Sequence, residues 1–213
     1  MPSISADEAP RLKPFVSLAE KLGSFAGQLT DGPITGVVIE YAGDEGEMNT
    51  RALTSAALSG VLQPMLGTVN MVSAPIVARE RGIKVDEVRQ SQRGAYETYI
   101  RLTIRTDNIE RSVAGTVFSD GKPRIIQIKG IELESDFGRH MLYVTNQDKP
   151  GFIGAFGSLL GNAKVNIASF HLGRHSEGED AICLVQIDEP VPDSVLWAVQ
   201  KLEQVRQAKR LAF

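Results

Sequence analysis

The stretch of this chain best suited to hold a small polar molecule is Asp148-Lys149-Pro150-Gly151-Phe152-Ile153-Gly154. Before it, residues 139–145 (RHMLYVT) read as a buried strand. After it, Phe152, Phe156, Leu159 and Leu160 recur at helical spacing until Gly161-Asn162 stops the pattern. A strand, a turn of Asp, Pro and Gly, and a helix whose free N–H groups face that turn together make a receptor for a polar ligand. Binding rather than a reaction is expected, because no Ser/His/Asp set and no carboxylate pair stands out.

Other residues could do chemistry in principle. Arg101, Arg105, Lys122, Arg124 and Lys129 form a loose basic group that could take an anion, but residues on one wet strand face would look the same. His171 and His175 lie near Glu177, Glu179 and Asp180. At a strand end and its turn, that spacing does not converge on a metal, so none is expected. The single cysteine, Cys183, sits in an apolar run (AICLVQI) and reads as a small buried hydrophobe. It can form neither an intrachain disulfide nor a thiolate metal site. Gly151, Gly154 and Gly157 imitate a dinucleotide turn, but their spacing is wrong. The first serves the turn, and the other two share a helix face that permits close approach. No cofactor is expected in these residues.

Composition narrows the rest. A net charge of −3 gives no general attraction to nucleic acid or anionic membrane. No apolar run approaches the ~20 residues of a membrane span, and the first fifteen residues lack the order of a signal peptide. A soluble, cytoplasmic protein is the expectation.

The elements that would position these residues are legible in outline. Residues 14–29 carry Phe15, Leu18, Leu22, Phe25 and Leu29 on one helical face, and Thr30-Asp31-Gly32-Pro33 ends the run. Residues 34–41 form a strand, and residues 42–46 a polar turn. Residues 48–66 form a helix rich in small residues that can pack closely, and residues 73–81 a short helix with Ser73 as N-cap and Pro75 in its first turn. From Tyr99 the period changes: Ile100, Leu102 and Ile104 alternate with Arg101, Thr103 and Arg105. Strands at 111–118 and 124–131 follow. The fold class is α+β, an antiparallel sheet with helices on one face. Residues 134–138 mark the boundary, giving domains 1–138 and 139–213. Beyond it, strand (139–145), helix (152–161), strands (164–172 and 180–188), helix (192–204) and strand (207–213) give the βαββαβ order of a ferredoxin-like unit. Leu196, Trp197 and Val199 are assigned to its core.

Taken together, Asp148-Lys149-Pro150-Gly151, the run Gly161-Asn162-Ala163-Lys164-Val165-Asn166-Ile167-Ala168 and Leu172-Gly173-Arg174 resemble an ACT domain. The preceding Thr68-Val69-Asn70-Met71-Val72-Ser73-Ala74-Pro75, Gly115-Thr116-Val117-Phe118 and Ile125-Ile126-Gln127-Ile128 resemble the intervening, allosteric substrate-binding domain of long-form bacterial D-3-phosphoglycerate dehydrogenase. The resemblance covers nearly the whole chain. It implies a regulatory region in which ACT domains pair side by side, as dimer or tetramer, and bind L-serine across the seam for feedback inhibition. Matching positions are Asn146, Asp148 and Asn166, with the backbone at Phe152, Ile153 and Gly154 facing the serine carboxylate. Asp148 read as an N-cap and Asn166 as a turn residue are the plainer alternatives. Arg124 matches a basic position of the family's anion site, whereas Ile131 and Asp136 stand where an anion-binding member has arginines. The resemblance places NAD in catalytic domains that this chain does not contain, so the chain itself is expected to be non-catalytic. Two alternatives are the β component of an iron–sulfur L-serine dehydratase, which needs cluster cysteines, and a free-standing amino-acid sensor.

Overall fold

Leu18, Leu22, Phe25 and Leu29 are each 0 % exposed and recur every three or four residues, which makes α1 (Ala9–Leu29) an amphipathic helix. It begins ahead of the expected start at residue 14. Pro14 lies inside the helix and removes one backbone donor, and the long buried face beyond it keeps the helix continuous. These descriptions come from a computed structural model that defines residues 9–43, 50–90 and 96–213. Residues 44–46 of the expected turn and residues 48 and 49 of the expected second helix lie outside the described residues. The chain divides into two compact units, Met1–Lys129 and Gly130–Phe213. The division therefore falls after Lys129 rather than after residue 138.

In the first unit α2 (Thr50–Leu66) lies directly against α1. Glycine makes this contact possible: a Cβ on Gly60 would stand 2.1 Å from the Glu20 carbonyl oxygen, and one on Gly23 would stand 2.2 Å from that of Ala57. Both obstacles are backbone and cannot rotate away. Gly60→Ala should therefore lower stability. Helix propensity favours alanine by about 1 kcal/mol, whereas overpacking costs about 1–3 kcal/mol and wins where two helix backbones must separate. Thermal unfolding followed by circular dichroism checks this, and an unchanged or raised midpoint would mean the helices have room.

Strands β1 (Gly36–Ala42), β2 (Lys84–Gln90), β3 (Tyr99–Arg105), β4 (Glu110–Val117) and β5 (Pro123–Ile128) run in the order β2-β1-β3-β4-β5. β1 pairs with β2 in parallel, from Gly36 opposite Lys84 to Ala42 opposite Gln90. The crossover between them carries α2 and α3 (Ala74–Glu80), as a parallel pair requires. The remaining pairs in this unit are antiparallel. The sheet is thus mixed, which corrects the antiparallel expectation, and β2 was not anticipated. At the start of α3 the Ser73 hydroxyl does not cap the helix. It turns to Asn70, whose Oδ1 accepts from the N–H groups of Val72 (2.9 Å) and Ser73 (3.1 Å). The expected strand 124–131 also breaks: Lys129 (φ 50°) and Gly130 (φ 78°) form a tight turn after β5.

The second unit opens with β6 (Ile131–Asp136), which occupies much of the expected linker. Ile131, Leu133 and Ser135 alternate inward, and the backbone of Gly173 lies close to the Glu132 carbonyl. Then come β7 (His140–Gln147), α4 (Phe152–Asn162), β8 (Ile167–Arg174), β9 (Asp180–Ile187), α5 (Asp193–Gln200) and β10 (Val205–Ala212). Their sheet runs β10-β7-β9-β8 with every neighbour antiparallel, which is the ferredoxin-like arrangement. The core joins Leu142 and Val144 of β7, Phe152, Phe156 and Leu160 of α4, and Cys183 and Val185 of β9.

Three details depart from expectation. β8 starts at Ile167 rather than 164, because Lys164 (φ 58°) still belongs to the turn that leaves α4. α5 ends at Gln200, and residues 201–204 turn into β10. Trp197, assigned to the core, is 62 % exposed, with Lys201 Nζ 5.4 Å from the ring centre. Val199 sets the buried face of this short helix, and two residues along a helix turn a side chain to roughly the opposite side. No helix among the described residues is long and apolar enough to cross a membrane.

Candidate functional site

The chain leaves β7 through a loop pinned at two backbone points. Gln147 N–H donates to the Gln204 carbonyl (2.9 Å) and Asp148 N–H to that of Glu179 (2.8 Å). Gly151 then adopts φ 94°, a left-handed conformation that glycine takes without strain, and α4 begins. Phe152 anchors the helix in the core, while Ile153 is exposed. Among the described residues the N–H groups of Ile153 and Gly154 have no acceptor, and a Cβ on Gly154 would meet nothing within 4 Å. This helix start is open to a ligand carboxylate.

Asp148 stands beside that opening. Its Oδ2 accepts from Arg174 Nη1, at the end of β8, and from Gly178 N–H (3.3 Å) in the turn before β9. The Arg174 hydrogen bond, followed by that of Gly178, holds the Asp148 carboxyl below the usual carboxylate range. The plain reading of Asp148 as an N-cap does not describe it: the cap is Gly151, and Asp148 clasps the β8–β9 hairpin tip. In the sequence Arg174 stands only as the end of the Leu-Gly-Arg motif. The motif was the available signal, and the pairing across 26 residues was not visible in it.

The other expected contacts lie elsewhere. Asn146 shares the strand parity of Asp148 but points into the unit, 1 % exposed. Its Nδ2 donates to the Gln147 carbonyl (3.0 Å), and its Oδ1 accepts from the Cys183 thiol (3.5 Å). Asn166 is exposed at the other end of the edge strand, where its Nδ2 donates to Asp188 Oδ2 (2.7 Å). A strand of this length spans about 26 Å. Asp148 and Asn166 are therefore not brought together within one chain.

The basic group does not converge. Arg101 pairs with Glu40 (3.1 Å) and reaches Gln127, Arg105 pairs with Glu110 (2.9 Å), and Arg124 pairs with Asp120 (2.7 Å) while covering the Phe118 ring. Each arginine already faces a carboxylate along the sheet. Lys122 lies exposed in the turn before β5, and Lys129 in the turn after it. His171 is within β8, and His175 lies near Gly130. No cluster of three metal-ligating side chains occurs among the described residues. Cys183 is fully buried, and burial pushes its thiol up to about 12, far from a thiolate that could hold a cluster.

A two-unit α+β protein whose second unit has the βαββαβ order of a ferredoxin-like sheet is the class that this geometry defines. Comparison with known families supplies the particular one. Residues 11–129 match the D-3-phosphoglycerate dehydrogenase intervening domain, and residues 140–204 match the ACT domain. The chain belongs to the D-3-phosphoglycerate dehydrogenase family and corresponds to its C-terminal regulatory region. It is 36 % identical over 98 % of its length to D-3-phosphoglycerate dehydrogenase of Synechocystis sp., of which it covers 38 %. The enzymes of Archaeoglobus fulgidus (32 % identical) and Bacillus subtilis (31 %) are each matched over 98 % of this chain and 40 % of the relative. The chain thus spans about two fifths of the length of these relatives.

Proposed function

We propose that this chain is the feedback-regulatory region of a cytoplasmic D-3-phosphoglycerate dehydrogenase and binds L-serine between two copies of its ACT domain. The observation that carries the reading is the separation of Asp148 and Asn166 at opposite ends of β8, an edge strand with β9 as its partner. Antiparallel pairing of β8 with β8 of a second copy sets the start of one strand against the end of the other. Each Asp148 then meets Asn166 of the other copy, and two equivalent sites form across the seam. Gly154, Gly157 and Gly161 support such pairing: a Cβ on any of them would meet nothing within 4 Å, so a second backbone can come close. The helix face read from the sequence as permitting close approach is open.

At each site Asp148 accepts from the serine ammonium, and the carboxamide of Asn166 brackets polar groups of the ligand. Hydride transfer with NAD is assigned to catalytic domains outside these residues, since no Gly-rich dinucleotide turn follows any strand here. Serine acts by favouring one orientation of the paired domains, and its effect is limited by its differential affinity for the two states, typically about 1–3 kcal/mol.

A thermal-shift titration with the twenty amino acids tests this. At ~100 times Kd, serine should add about 2.7 kcal/mol to the native state. A response to a different amino acid would reassign the effector, and no response to any would remove the binding role.

A further inference from the structure

The clasp between Asp148 and Arg174 sets a condition on what the site accepts. On the reading that Asp148 receives an amino-acid ammonium, we propose that Arg174 is the specificity-determining residue and takes the ligand carboxylate. The ligand is then a zwitterion inserted into an existing ion pair.

The argument is one of charge pairing. Asp148 is not an idle acceptor: Arg174 Nη1 and Gly178 N–H already bind its Oδ2. A ligand carrying only an ammonium takes the carboxylate and strands the guanidinium. A ligand carrying only a carboxylate takes the guanidinium and strands Asp148. A zwitterion pairs with both, so one charge-assisted contact becomes two. Arg174 is placed for the exchange. It is the last residue of edge strand β8, its side chain is 49 % exposed, and that of Asp148 is 21 % exposed. Ion pairs with this exposure are weakly held, so opening one costs little. The guanidinium fork also matches a carboxylate bidentately, which a single backbone N–H does not. The open N–H groups at the start of α4 are the competing carboxylate receptor, and substitution at Arg174 separates the two.

Calorimetric titration of the chain with L-serine and with L-serinamide, at a pH where both amines are protonated, reads the difference directly. The wild-type chain should favour serine roughly tenfold or more, the value of one good charge-assisted contact. Arg174→Gln should lose serine affinity while leaving serinamide nearly unchanged, so that the ratio falls to about twofold. Arg174→Lys keeps the charge without the fork and should restore part of the ratio. A ratio that survives in R174Q, with serine binding still abolished by Asp148→Asn, would overturn the role of Arg174 alone and give the carboxylate to the helix start. Serine binding unchanged by D148N would overturn both the role and the site, as would absence of binding by the wild-type chain.

Discussion

Phe156→Ala is expected to remove about 3–5 kcal/mol from the stability of the second unit. The ring is 0 % exposed and is the middle member of the α4 series Phe152, Phe156, Leu160. It packs 5.7 Å from the Phe152 ring and 6.1 Å from that of Phe170, so one truncation loosens the helix from its own first turn and from β8 together. Domains of this size have about 5–15 kcal/mol in total, so the loss is a large fraction of what holds the unit. Calorimetry should show its transition moved sharply down or lost. A transition left in place would mean that Phe152 and Leu160 close over the gap. The ligand response should fall with it, because Gly151 and the open N–H groups keep their positions only while α4 stays docked.

The second large effect separates a shared site from a private one. Asp148→Ala and Asn166→Ala should each abolish the serine-induced shift, about 2.7 kcal/mol at ~100 times Kd. Mixing the two variants under conditions that exchange subunits is the decisive step. In a mixed pair, one seam site carries both alanines and the other carries neither; random exchange makes half of the pairs mixed, so about a quarter of the wild-type stoichiometry returns. If each chain held its own site, no mixture would recover anything. If Asn166 served only to bond Asp188 at the end of β9, Asn166→Ala by itself would leave the shift in place.

What the sequence disclosed depended on whether local pattern and tertiary role agreed. β3 alternates apolar and polar residues along its sequence, and α4 repeats its aromatic and leucine residues on one face, so both were readable. β2 was not. It is an edge strand in which only Val85 and Val88 stand among Lys, Asp, Glu, Arg and Gln, none of its residues is fully buried, and what makes it a strand is parallel pairing with β1 across a long crossover. β6 has the right alternation in Ile131, Leu133 and Ser135, but its Glu and Asp between them resemble a linker. At the site, the shared parity of Asn146 and Asp148 does not bring their side chains to one place. The strand carries Asn146 into the core, and the chain releases Asp148 into a loop one step later. The distance between Asp148 and Asn166 was not legible at all, because it is a property of the hairpin order rather than of spacing along the chain.

The exposed Trp197 has a practical meaning for anyone following this molecule by light. It is the only tryptophan, and it sits in the second unit with its ring already in water beside Lys201. Unfolding moves it from one aqueous setting to another, so its emission colour is a poor gauge of denaturation. The same exposure leaves it open to dissolved quenchers, which makes it a built-in sensor of whether the outer face of α5 becomes covered when copies assemble.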